Sequence, residues 1–254
     1  MAHVNLDVSA QDFFTGLTSP CKRPAAHALR IRGHHPSDHR RRPDLAGRYP
    51  GCLHACNYCY ARDIANRLYR PQFKPAFYPG RLKCPAQTDV PREAKQDIGQ
   101  KNVFTCSMAD LFGKWVPEEL IQMVLDVVRK SPQWNFLFLT KFPQRHLKLE
   151  FPDNAWIGTS VDSQKMIQNA EEIFKDVKAK VKWLSCEPMM ERLTFKHLDR
   201  FQWVVIGGSS KSTQTPEFRP PREWVTHLWS QARAASCMIY EKPNLLERCR
   251  EYPN

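Results

Sequence analysis

Between residues 102 and 241, short apolar runs alternate with longer stretches whose apolar positions recur every three or four residues. The runs are Asn102–Cys106, Asn135–Thr140, Ala155–Ser160, Val181–Cys186, Gln202–Gly207 and Cys237–Glu241. Their length and richness in β-forming residues suit strands buried on both faces. Between them, Pro117 opens a helix at its first turn, with Leu120, Ile121, Val124 and Val128 as its buried stripe. Ser163–Val177 reads as a second, with Ile167, Ala170, Ile173, Phe174 and Val177 inward. Pro221–Ala235 reads as a third, with Trp224, Val225, Leu228 and Trp229 inward. The linkers Pro143–Leu149 and Phe195–Arg200 have room only for short helices. Repeated strand–helix units joined by right-handed crossovers give a parallel sheet. Six such strands and one more near Gly51 predict an α/β fold, an open partial (β/α)6 barrel of the TIM type. A flat, doubly wound sheet is the alternative.

In parallel α/β folds, ligands gather at the carboxyl ends of the strands. Those ends here carry Cys106-Ser107-Met108-Ala109-Asp110, Thr140-Lys141, Thr159-Ser160-Val161-Asp162, Cys186-Glu187-Pro188, Gly207-Gly208-Ser209-Ser210 and Glu241-Lys242. Each places small, polar or charged groups directly after an apolar run. Six in succession on one rim point to a pocket.

The chain before residue 102 is different. Residues 1–45 hold Lys22, Arg23, Arg30, Arg32, the run Arg40-Arg41-Arg42, and His27, His34, His35 and His39, with no strand or helix period. This reads as an irregular basic extension, suited to a phosphate backbone or simply to solvent. The barrel is expected over 46–245, with 246–254 as a tail. Tyr60–Tyr69 reads as a helix with Ile64, Ala65 and Leu68 on one face. A proline-punctuated loop then interleaves Phe73, Phe77 and Tyr78 with Arg70, Lys74, Arg81 and Lys83. Rings beside cations suit stacked bases and phosphates, and suit equally a loop pinned down by its aromatics.

A net charge of +12, from 38 basic and 26 acidic side chains, favours an anionic partner, nucleic acid first. No apolar run is long enough to cross a membrane, and Met1–Phe14 lacks the layout of a signal peptide. Nine cysteines in such a chain read as thiols or metal ligands in a reducing cytoplasm.

Three of those cysteines crowd one stretch. Cys52, Cys56 and Cys59 fall in Gly51-Cys-Leu-His-Ala-Cys-Asn-Tyr-Cys-Tyr-Ala-Arg62, spaced C-x3-C-x2-C. Thiolates are soft ligands, and three on one tight loop converge on iron or zinc. A [4Fe–4S] cluster held by three cysteines keeps its fourth iron open to a ligand. A structural zinc would need a fourth donor, for which His54, Cys84 or Cys106 stand available. Simple buried thiols are the remaining reading.

The blocks GCLHACNYCYARDIANRL, FKPAFYPGRL, VFTCSMADLFGKWVP, FLFLTKFPQR, WIGTSVD, WLSCEPMM and WVVIGGSS occur in this order from Gly51 onward. Together they resemble the radical-SAM-like protein family of phages and prophages. The cysteine loop and its Tyr60-Ala61 tail also resemble, more distantly, spore photoproduct lyase. The resemblance implies a radical SAM partial barrel, with a [4Fe–4S] cluster on Cys52, Cys56 and Cys59 and S-adenosylmethionine (SAM) on its open iron. It implies Tyr58 near the adenine, and Ser107 and Asp110 near the methionyl amine, although this block departs from the usual Gly-Gly-Glu. Thr159, Ser160 and Glu187 would contact ribose or carboxylate, with Gly207 and Gly208 beside the cofactor. Ala55 stands where glycine is expected. The basic extension lies outside the resemblance.

The implied chemistry is reductive SAM cleavage, served by a one-electron reductant of the flavodoxin or ferredoxin type, to modify or repair a nucleic acid or nucleotide. Cys106 and Cys186 are candidates to return a hydrogen atom or carry sulfur, and equally suit the core. Lys141 and Lys242 would meet phosphate. A peptide or small-metabolite substrate, or a non-enzymatic metal protein that binds nucleic acid, are the competing readings.

Overall fold

The computed structural model describes residues 51–68, 73–75, 77, 79–245 and 249–253. The basic extension, any strand preceding Gly51, and Arg70 and Tyr78 of the aromatic loop lie outside the described residues. Six strands form one parallel sheet in the order β1 to β6: Asn102–Phe104, Asn135–Thr140, Ala155–Ser160, Val181–Cys186, Trp203–Ile206 and Met238–Glu241. Each pairs with its neighbour in sequence, and no pairing joins β6 to β1 among the described residues. Among the described residues, four α-helices accompany them: α1 (Tyr60–Leu68), α2 (Glu118–Arg129), α3 (Ile167–Asp176) and α4 (Arg222–Ala234).

The placement of the helices decides between a barrel and a flat sheet. Ile121, Val124, Leu125 and Val128 of α2, Ile167, Ala170 and Phe174 of α3, and Leu228 and Ala232 of α4 all enter one core. That core takes Phe136, Phe138, Ile157, Leu184, Val204, Ile206 and Ile239 from one face of the sheet. The opposite face has its own cluster, Leu137, Trp156, Val181, Trp183, Trp203 and Val205, with no helix in it. With α2, α3 and α4 all on one face the sheet curls into a half-barrel, whereas a doubly wound sheet needs helices on both.

Differences from the expected boundaries have local causes. β1 stops at Phe104 because Cys106 adopts φ 60°, a left-handed conformation that ends the extended run. Ser163–Val177 divides into a 3-10 turn, Gln164–Met166, followed by α3. On α2, Leu125 is fully buried where Leu120 is only half-buried, so its stripe is rotated from the expected one. The described part of the tail, residues 249–253, pairs with the barrel. Glu251 N–H donates to Ile239 O at 2.9 Å and Glu241 N–H to Cys249 O at 2.8 Å, extending the sheet antiparallel beside β6.

Candidate functional site

Side chains alternate across a strand, so each strand sends every second residue into the half-barrel. Low in the interior these are aromatic. Trp203 lies 5.7 Å from Trp156 and 5.3 Å from Trp183, ring centre to centre, and Tyr252 of the tail lies 5.7 Å from it. These rings close the barrel from beneath. Trp183 reaches across β3 to donate from Nε1 to Trp156 O at 3.1 Å. A Cβ on Gly158 would fall 2.4 Å from that indole, so only glycine lets it cross.

Above the rings the inward positions become small and polar. Ser160 continues the Trp156–Gly158 face of β3, and Ser185 the Trp183 face of β4. They are 7% and 3% exposed, and neither hydroxyl has a hydrogen-bond partner among the described residues. Ser185 was not singled out from the sequence. The signal for it is present there, because Trp156-x-Gly-x-Ser160 and Trp183-x-Ser185 both place a small residue above an inward tryptophan.

The cysteine loop is pinned to this rim by two half-buried ties. In the first, His54 Nε2 lies 2.6 Å from Asp110 Oδ2. The Asp110 carboxylate also accepts from Phe112 N–H at 2.9 Å, Thr140 Oγ1 at 2.8 Å and Lys141 N–H at 3.1 Å. In the second, the Tyr58 hydroxyl donates to Asp162 Oδ2, and Lys141 Nζ stands 2.7 Å from both. Burial, then the Asp162 hydrogen bond, pushes the Tyr58 phenol up, so it remains a donor. Burial works to raise Asp162, but Lys141 and the hydrogen bonds from Tyr58 and Ser163 outweigh it and hold the carboxyl low.

Outer ties are exposed. Asp63 accepts from Thr213 N–H and Oγ1, each at 2.6 Å. Arg62 donates to Gln214 Oε1 at 2.8 Å, and also to Cys56 O at 2.7 Å within the loop.

Cys52, Cys56 and Cys59 are free thiols, each half-buried. They lie near enough that charge on Cys56 or Cys59 raises Cys52, and charge on Cys59 raises Cys56. Burial pushes Cys52 up to about 12 and raises Cys56 as well, so these thiols hold their protons until a cation displaces them. Among the described residues, no three His, Cys, Asp or Glu side chains converge on a point for one metal ion. A cubane cluster differs from a single ion, because each thiolate takes its own iron and the sulfurs stand apart. Three free thiols on one loop supply the kind of donor that such a cluster takes. The fourth donors considered for zinc are engaged elsewhere: His54 is turned to Asp110, Cys106 packs against the helix-side core, and Cys84 is held in a disulfide, which corrects the expectation that every cysteine is a thiol or a metal ligand.

The other expected site residues divide by face. Cys186 is fully buried in the helix-side core, and burial raises its thiol. Cys106 packs against the same core, with its thiol pushed up to about 12 by burial. Thr159 also faces the helices and donates to Thr140 O at 3.0 Å. Cys186 and Thr159 thus point away from the interior that holds Ser160, while Cys106 is only partly buried. The oxygens of Asp110 are already engaged by four donors, so it anchors the loop rather than meeting an amine. Ser107 presents its carbonyl to the Tyr60 hydroxyl at 3.0 Å.

Lys242 and Glu187 form an ion pair at 3.2 Å, and a Cβ on Gly207 would lie 3.0 Å from Lys242 Cγ and 3.1 Å from Glu187 Cγ. Gly207 thus lets the pair close over β5. Gly208 is held through its backbone, accepting from Asn244 Nδ2 at 2.9 Å. Lys141 and Lys242 each already face a carboxylate, so neither offers phosphate an unopposed charge.

No helix among the described residues is long and apolar enough to cross a membrane. No curated protein matches the chain. One solved structure it is similar to is a radical SAM methyltransferase from Sphaerobacter thermophilus, at 11% identity and a TM-score of 0.47. The match covers 78% of this chain and 64% of that one, just under two thirds of its length. Residues 49–243 match the family described as protein of unknown function (DUF5131), and the chain belongs to that family.

Proposed function

We propose that this protein is a radical SAM iron–sulfur enzyme whose substrate is a nucleic acid or nucleotide. The observation that carries the reading is the cysteine loop itself. Three free, half-buried thiols at C-x3-C-x2-C spacing are pinned over the carboxyl ends of a half-barrel of parallel strands. Cys52, Cys56 and Cys59 would hold the cluster. Ser160, Ser185 and the Glu187–Lys242 pair line the space for SAM beside it. When bound, the cluster and SAM together supply a one-electron cleavage of the sulfonium and a carbon radical that takes a hydrogen atom from the substrate.

This chain's own residues orient and exclude. Trp156, Trp183, Trp203 and Tyr252 close the barrel from below, so access is from the rim. Tyr58 stays protonated between Asp162 and Lys141 and fixes the turn that carries Cys56 and Cys59. The anionic substrate is supported by the net charge of +12. With Lys141 and Lys242 paired, phosphate would be met by the exposed cations Lys114, Lys165, Arg192 and Lys211 on loops following β1, β3, β4 and β5.

The test is anaerobic. After loading with iron and sulfide, reduction and addition of SAM, 5′-deoxyadenosine is expected by mass spectrometry, and is lost in the Cys52/Cys56/Cys59 triple alanine variant. Binding of single-stranded DNA or RNA should weaken steeply with salt, by one counterion per phosphate contact. Zinc uptake with no cluster formed would overturn the reading, and salt-insensitive or absent binding would overturn the substrate class.

A further inference from the structure

We propose that Lys141 is a positioning residue that sets the cysteine loop in its working shape before any cluster is present. The inference takes from the proposed function only the identity of the three ligands.

Lys141 follows β2 directly and belongs to both half-buried ties. Its backbone N–H donates to the Asp110 carboxylate, which receives His54, between Cys52 and Cys56. Its Nζ lies 2.7 Å from the Tyr58 hydroxyl and 2.7 Å from Asp162 Oδ2, between Cys56 and Cys59. One residue thus anchors both halves of the loop. The pair is shielded, with side-chain exposures of 19% for Lys141 and 18% for Asp162. Charge-assisted bonds in such a setting outlast exposed ones like those of Asp63.

A second observation is independent. Ala55, midway along the loop, has φ 54°, a conformation that a residue with a Cβ avoids. Such strain persists only where the surroundings over-determine it. The loop does not choose this shape alone, and the ties on either side of Ala55 are what impose it. A shape set in advance lowers the ordering cost of bringing three thiolates to one cluster.

The test is hydrogen exchange on the full-length, metal-free protein. In Lys141→Met, which keeps the backbone donation to Asp110, amides of residues 56–60 are expected to exchange about tenfold faster, the loss of roughly one net hydrogen bond. Strands β3 and β4 should keep their wild-type protection. Lys141→Arg should recover part of the effect, since a guanidinium donates to both oxygens. The double variant Lys141→Met/Tyr58→Phe should be no faster than the worse single one, as expected of one network.

After iron–sulfide loading, the electron paramagnetic resonance of the reduced cluster should differ in Lys141→Met and return toward wild type in Lys141→Arg. Unchanged exchange over 56–60, equal acceleration across the whole barrel, or identical spectra would each overturn the inference. A loosened loop in Lys141→Met, with no cluster formed even by wild type, would sink the proposed function and leave the positioning role standing.

Discussion

On the helix side of the sheet, Phe136, Phe138, Ile157, Leu184, Val204 and Ile206 are at most 1% exposed and uniformly apolar. On the inner side the composition changes with height. Tryptophans fill the bottom, and glycine, serine and paired charges occupy the top. One sheet thus carries a surface selected by packing alone and a surface graded from packing to chemistry. The lesson is that position along the strand matters on one face and hardly on the other. Cysteine shows this directly. Cys186 and Ser185 are adjacent, yet one is a core atom and the other faces the site.

Three substitutions test the contrast, the largest effect first. Phe138→Ala leaves a cavity among helix-side rings and should cost about 3–5 kcal/mol. Chemical denaturation measures it, and 5′-deoxyadenosine formed per folded molecule should stay at wild type. Loss of that chemistry in the folded fraction would break the division between faces.

Gly158→Val pushes a side chain into the Trp183 indole and should cost about 1–3 kcal/mol. Here the thermal midpoint and SAM cleavage should fall together, because the displaced indole moves toward Ser160 and Ser185. Stability lost with cleavage intact would show that the floor does not shape the site.

His146→Phe addresses an unpartnered polar ring on the helix side. The imidazole is 1% exposed against Phe112, Phe151 and Phe174, and neither ring nitrogen has a partner. Burial, opposed weakly by the Asp110 charge, lowers its pKa to about 3 from 6.5. Above pH 6.5 the ring is neutral in both folded and unfolded chains. As pH falls from 6.5 toward 3, the unfolded chain takes the proton first and stability declines. His146→Phe should change little at pH 7 and flatten that decline in acid melting curves. An unchanged slope would mean that the ring is solvated in the folded protein.

Much of this architecture was legible in the sequence. β2, β3 and β4 fall on the expected residues, since an apolar run bounded by polar turns leaves little choice of limits. The facing of residues was harder. Strands buried on both sides are apolar at every position, so no alternation marks Thr159 and Cys186 as outward. The ties were invisible for a different reason. Tyr58 and Asp162 are 104 residues apart, and His54 and Asp110 are 56 apart. No local pattern encodes such pairs. Lys141 was found as a rim cation, but its partners, and with them its role, come only from the fold.

The crowding of Trp156, Trp183 and Trp203 has an optical consequence. Indoles held this close and at fixed angles exchange excitation, so their electronic transitions couple into a paired signal of opposite signs in circular dichroism. That couplet reports on the barrel floor alone. The cluster proposed for the rim would absorb at longer wavelength and report on the cysteine loop. One cuvette could therefore follow the two ends of the barrel separately as the protein is heated, reduced or given a ligand.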